Sequence, residues 1–393
     1  MERITTVLGV VAAAGLVAAA PAGAASVDDV EVIASGLDNP RHLSVSPTGD
    51  IYVAEAGRGG NFGEATSCFG SAEGPACTGA TGAVTRLAKK GRDYTQKRIL
   101  TGLASMALEG NRNAIGPHGI FATGRSVFVT NGGPTEPQRG TPAATVLRDP
   151  TLVAEDPVSR RYGTLLKIGK KNKARQVADL WKFEQRNNVD ADVGNPAIDS
   201  NAVDVLPYKG RLIVADAGGN SLLSVKRNGR IKAIAVFPNT PTPDPFGTGE
   251  IPMQTVPTGV VKGPDGALYM SQLTGFPFPF GGASVFRVNP RTGRVSRYAT
   301  GFTNIIDLDF GRDGTLYVLE IDSDSLLPPI GPSDDGGLWT VPKGGGTPAK
   351  VEMDAGTLIN PGGIDVDRKG TLFVTNKATQ PGTGEVLRMT LED

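Results

Sequence analysis

One segment recurs six times along the 393-residue chain, and it restricts the fold before any chemistry is considered. It reads as an apolar alternation, a turn, a glycine, a second apolar run and a closing acid or amide. The copies are GDIYVAE from Gly49, GRSVFVTN from Gly124, GRLIVAD from Gly210, GALYMSQ from Gly266, GTLYVLE from Gly314 and GTLFVTN from Gly370. Recurrence at such intervals specifies an array of equivalent units. Each copy follows another alternating run, such as His42–Val45 or Gly363–Val366, so each pair reads as a hairpin whose turn ends at the glycine. A third strand follows, clearest at Ala283–Val288, Gly336–Val341 and Gly384–Met389, and a fourth at Val295–Ala299. Four short antiparallel strands make a propeller blade, and the expected fold is an all-β, six-bladed β-propeller.

The key glycines are 75, 86, 56, 48 and 56 residues apart. The first two intervals imply insertions, at about 58–82 and 132–160, read as loops of a single domain over 25–393. The sixth unit stops near Asp393 one strand short. Val30–Asn39 parallels Val295–Asn304, the outer strand of blade 4 and its exit, so the N-terminal strand is expected to close the last blade and remove the open seam.

Residues 1–24 read as a secretory signal peptide. Arg3 precedes an apolar stretch, Val7–Ala20, and Ala22-Gly23-Ala24 supplies small residues for cleavage. No later stretch is long and apolar enough to span a membrane as a helix, so a secreted monomer is expected. Forty basic and forty acidic residues balance, which argues against nucleic acid or an anionic membrane as partner. Cys68 and Cys77 are the only cysteines, and in an exported chain they are expected to form one disulfide.

In a hairpin, the start of the first strand and the end of the second lie at the same end. Six such hairpins around a channel place two sets of residues on one face. Second strands end at Glu55, Asn131, Asp216, Gln272, Glu320 and Asn376, acids alternating with amides. First strands begin at Arg41, His118, Asn201, Thr258, Ile306 and Gly362, with His42 beside Arg41. Glu55, Asp216 and Glu320 are thus candidate ligands for a hard cation such as calcium, which takes six to eight oxygens. The competing reading is structural, because an acid or amide at a strand end accepts bonds from nearby turn amides. His118 is the candidate acid, base or ligand, against a merely hydrogen-bonded role. Asn187–Asn195 is rich in oxygen but fails the EF-hand pattern, since its glycine is misplaced, and reads as a solvated turn. Phe276, Phe278 and Phe280, in a Pro-rich loop rising from the same face, are candidates to wall an apolar ligand site, to plug the channel or to pack on Pro238–Pro257.

Ala54–Gly60, Thr81–Arg86, Asp199-Ser200-Asn201, Val214–Leu223 and Gln272–Pro279 resemble the ScyD/ScyE family of exported NHL-like propellers, from about residue 30 to the end. That resemblance implies the fold and export but no settled activity. More widely, the chain resembles gluconolactonase-type and streptogramin-lyase-type propellers, which implies a divalent metal in the channel. Asn201 is of a type fitting the first group and His118 the second. The leading expectation is a non-catalytic binding or accessory propeller recognising a small molecule or protein on the channel face. The alternative is a metal-dependent hydrolase or lyase using His118 with Glu55, Asp216 or Glu320.

Overall fold

The computed structural model describes residues 25–61, 68–71, 74–124, 126–133, 161–327 and 335–392. Residues 1–24, whose sequence reads as a signal peptide, and most of the 132–160 insertion lie outside these residues. Six antiparallel sheets form a ring. Their inner strands are Pro40–Val45, Pro117–Ala122, Ala202–Tyr208, Pro257–Lys262, Ile305–Phe310 and Gly363–Val366. Second strands end at Glu55, Asn131, Asp216, Gln272, Glu320 and Asn376, as the repeat predicts. The hairpin turns are alike because Gly49, Gly266, Gly314 and Gly370 all take positive φ, where a side chain would be strained.

Each blade is apolar on both faces, so burial comes from stacking neighbours. Six apolar clusters result, one at each seam. Between blades 3 and 4, Ile213 and Leu222 meet Leu268 and Met270; between blades 6 and 1, Phe373 and Val386 meet Leu43 and Val53.

The ring closes as expected. Val27–Leu37 pairs antiparallel with Gly384–Leu391, with Val30 opposite Met389 and Leu37 opposite Gly384. The first insertion is not simply a loop. Cys68–Ser71 pairs with the start of a 17-residue strand, Gly74–Lys90, which itself pairs with Asp93–Leu108. The disulfide joins Cys68 and Cys77 across that ladder, where the two are direct partners.

Leu37 is fully buried at the seam while Val32 is 52% exposed on the same strand. Leu37→Ala should therefore cost about 2–5 kcal/mol, and Val32→Ala less than about 0.5 kcal/mol, in urea unfolding. Equal costs would mean that the closing strand does not sit in this register.

Candidate functional site: the channel axis and the aromatic face

Pairing within each hairpin aligns the six inner strands. Leu43 faces Val53, Ile120 faces Val129, Val205 faces Val214, Val260 faces Met270, Leu308 faces Val318 and Ile364 faces Val374. The residue before each of these points to the axis, and the six are His42, Gly119, Asp204, Gly259, Asp307 and Gly363. Ionisable side chains thus alternate with glycine around the ring. Packing explains the alternation: a Cβ on Gly119 would stand 2.3 Å from the Asp204 Cα, one on Gly259 2.6 Å from Asp307 Oδ1, and one on Gly363 2.7 Å from the His42 Cα. Only three side chains fit in this layer.

These three meet. His42 Nδ1 lies 3.3 Å from Asp204 Oδ1 and 3.9 Å from Asp307 Oδ2. All three residues are buried, and His118 stacks edge-on against His42 with ring centroids 5.3 Å apart. The carboxylates are held by backbone amides of the adjacent blade as well as their own. Val260 N–H donates to Asp204 at 2.7 Å and Ile364 N–H to Asp307 at 2.9 Å, while Val205 and Leu308 donate from the same strands. One layer further along, Asp309 accepts from Val366 N–H at 2.8 Å, Asp365 from Val45 N–H at 2.9 Å and the Ser44 hydroxyl from Ala122 N–H at 3.1 Å.

Electrostatics follow from this crowding. Burial pulls the His42 imidazole down, but the Asp307 charge and the Asp204 hydrogen bond and charge outweigh it and lift the pKa to about 9. Burial, with repulsion from neighbouring carboxylates, holds Asp307, Asp309 and Asp365 above the usual carboxylate range, His42 partly offsetting this at Asp307. Arg41 is buried, donates to the Ala114 carbonyl at 2.6 Å, and is lowered by burial to about 10. His118 is driven well below its ordinary value by burial and then by the charges of Arg41 and His42, so it is neutral at pH 7.

His42, Asp204 and Asp307 are the only group of three such ligands among the described residues whose donor atoms lie within 4.8 Å of one another. They can share one small cation, or the proton that His42 already carries. The cavity they border has a volume of about 170 Å³, below the ~300 Å³ at which ligand pockets begin. Towards the other end, Arg41, Val203, Thr258 and Ile306 are each 8% exposed or less, with Val203 and Ile306 packed in the seam clusters and Arg41 and Thr258 bonded to the Ala114 and Ile305 carbonyls. No reacting group is presented there in an open pocket.

The acid and amide ring expected to line the channel lies elsewhere. Glu55 accepts from Asp38 N–H at 2.8 Å, from the Thr85 hydroxyl and from Arg98. Glu320 accepts from Thr303 N–H at 2.6 Å, Asn376 from Ile359 N–H at 2.7 Å, and Asp216 from Asn201 N–H at 2.8 Å. Asn131 donates to the Arg161 carbonyl, and Gln272 is buried. Glu55, Asn131, Asp216, Glu320 and Asn376 each close the loop into or out of their own blade. Glu55, Asp216 and Glu320 are therefore not brought together as one ligand set.

Asn201 also falls outside the expected set. Ala202 pairs with Asp216, so Val203 is the counterpart of Arg41 and His118, and Asn201 instead accepts from Gly133 N–H. A bulge at the start of five inner strands, such as between Pro40 and Leu43, makes the axial residue one later than simple counting suggests. Asp204 and Asp307 were missed for that reason, whereas Asp309 and Asp365 lie one layer further along, beyond the strand starts. Aligning the inner strands on their apolar core residue would have found them.

The aromatic loop does not plug the channel. Phe276 and Phe280 are 45% and 75% exposed, and Phe276 stacks on Phe246, itself 74% exposed, at 6.1 Å and 29°. Phe278 packs edge-on against Phe276 at 6.5 Å. Phe246 lies in the turn of a hairpin, Thr240–Pro243 with Glu250–Met253, inside the Pro-rich segment. The Phe276 loop is fastened to the base of that hairpin by Leu273, Thr274 and Gly275 amides donating to the Val256, Thr255 and Gln254 carbonyls.

No family model matches the chain, and no curated protein matches its sequence. Among solved structures, a protein of unknown function from Bacteroides thetaiotaomicron aligns with a TM-score of 0.51 at 10% identity, over 94% of this chain and 73% of that one. Virginiamycin B lyase from Staphylococcus aureus aligns at 0.47 and 13% identity, covering 93% and 99%. The PQQ-bound aldose sugar dehydrogenase from Streptomyces coelicolor aligns at 0.49 and 10%, covering 95% and 100%. At these identities the likeness extends to the propeller fold alone.

The axial charges predict a pH profile. An acid whose folded pKa is raised gives stability that is full below its unfolded value and lost as pH rises through the folded one; a raised histidine behaves in the same way. Unfolding free energy should fall by a few kcal/mol between pH 4 and 9. The upper limb lies between about 6.5 and about 9, where His42 deprotonates. In urea melts, Asp309→Asn should flatten the lower limb and His42→Gln the upper. Variant profiles parallel to wild type would overturn this assignment.

Proposed function

We propose that the chain is an exported, non-catalytic propeller that binds a small molecule or a protein surface on its aromatic face. The observation that carries this reading is the placing of Phe246, Phe276 and Phe280. They are three of the five large apolar side chains left exposed among the described residues, and Phe246 and Phe276 stack across two neighbouring loops, with Phe280 in the second of these. Rigid aromatics cost little entropy to use and supply a large contact area, which suits a recognition platform. The small axial cavity, about 170 Å³, supports the same reading, since a catalytic site needs room for a substrate beside its acid or base. Export rests on residues 1–24, and no helix among the described residues is long and apolar enough to cross a membrane.

A metal-dependent hydrolase or lyase is the second reading. It is favoured by His42, Asp204 and Asp307, whose donor atoms fit one cation, rather than by Glu55, Asp216 and Glu320.

The two readings separate by saturation-transfer NMR with a panel of planar aromatic compounds. Phe276→Ala and Phe280→Ala should each weaken a bound compound about tenfold, and EDTA should change nothing. Binding or turnover that survives both substitutions but vanishes with EDTA or Asp307→Asn would favour the metalloenzyme.

A further inference from the structure

The oxygen-rich segment after residue 187 is not the solvated turn its composition suggests. A helix, Leu180–Asn187, is capped by Asp179 and ends at Asn188 in the left-handed conformation. Its inner face buries Leu180, Trp181 and Glu184. The following loop wraps round Asp190, whose carbonyl accepts from Val193 and Asn195 N–H, and whose side chain accepts from Asn220 Nδ2 at 3.0 Å. Asp190 is 1% exposed and Glu184 2%.

Glu184 lies in an acidic surrounding, although no three acids here bring their oxygens within 4.8 Å of one another as the axial trio does. The charges acting most strongly on Glu184 are all negative and come from Asp216, Asp190 and Asp199. No ion pair involving Glu184, Asp190 or Asp216 is found among the described residues. Glu184 Oε1 is buried and has no hydrogen-bond partner. A buried carboxylate oxygen facing other acids costs several kcal/mol unless a proton or a cation compensates it.

Two adjacent glycines adjoin it. The space that a Cβ on Gly219 would occupy is 3.3 Å from Glu184 Oε2 and 3.5 Å from the Asp199 carbonyl oxygen, and a Cβ on Gly218 would meet Asp199 Oδ1 at 2.5 Å. Carboxylate and carbonyl oxygens thus border two adjacent glycines. Nitrogen and sulfur ligands are remote, since both histidines lie at the axis and both cysteines form the disulfide.

We propose that blade 3 binds a calcium-like divalent cation beside Gly219, held by the Glu184 carboxylate and by Asp199, with Asp190 and Asp216 supplying the surrounding negative charge. An all-oxygen, irregular donor set suits calcium better than magnesium, which demands near-ideal octahedral geometry, or zinc, which prefers nitrogen and sulfur. The ion would fasten the 180–195 helix and loop onto the ring. The site is separate from the axial trio and independent of the aromatic face.

The test is thermal unfolding of the mature protein in EDTA, calcium chloride or magnesium chloride, with terbium luminescence as a second readout. At a hundredfold excess over Kd, calcium should raise Tm by about 4 °C. Terbium should luminesce on excitation of Trp181, one helical turn from Glu184. Glu184→Gln and Gly219→Ala should each abolish the calcium shift, and Asp307→Asn should retain it. If Glu184→Gln fails to fold, Gly219→Ala decides. No calcium shift in wild type would overturn the proposal, as would a shift that survives Gly219→Ala or is lost in Asp307→Asn.

Discussion

The propeller depends on how its inner strands satisfy their free edge. Those strands run side by side round the axis but do not form a sheet with one another, so one row of backbone amides on each has no strand partner. A buried amide without an acceptor costs about as much as a lost hydrogen bond. Side chains of the preceding blade supply the acceptors. Asp204 reaches Val260, Asp307 and Asp309 reach Ile364 and Val366, Asp365 reaches Val45, and Ser44 reaches Ala122. Carboxylates suit this work because each has two oxygens, one of which can hold its own strand while the other holds the next.

The same device sets the charge of the axis. Using acids as stitches concentrates negative charge in a space too small to hydrate it. His42 lies between Asp204 and Asp307 and returns one positive charge. The alternating glycines are a second consequence, because a side chain at every blade would overfill the layer. His42 and its two acids are therefore intelligible without any ligand. Their metal-like spacing is what a buried ion-paired trio produces.

Much of the fold was legible in the sequence because the hairpin repeat has a period of two and a glycine at each turn. Closure by Val27–Leu37 was legible because Val30–Asn39 copies Val295–Asn304. The site was less so, and the reason is geometric. A one-residue bulge changes which side chains face the axis, and counting forward from Pro40 or Pro257 cannot see it. The alternation of Glu55, Asn131, Asp216, Gln272, Glu320 and Asn376 was real, but five of the six close loops of their own blades. Packing of the Phe276 loop on Pro238–Pro257 was one of three paths the sequence left open, and Phe246 stacks on Phe276 there; the burial of Glu184 and Asp190 was not accessible, since it depends on a loop path that local patterning leaves open.

Where function resides follows from what the scaffold leaves unused. The axial polar groups answer one another, and the ring acids answer backbone amides. Two places break this economy. On the aromatic face, Phe276 and Phe280 expose apolar surface that stability alone would bury, while the neighbouring Phe278 is partly covered by Phe276. In blade 3, Glu184 keeps a carboxylate oxygen in the interior among other acids. A repeat scaffold generates neither feature by repetition, because among the described residues no other blade carries its counterpart. Departures from the repeat are therefore better guides to activity in this chain than the repeat itself.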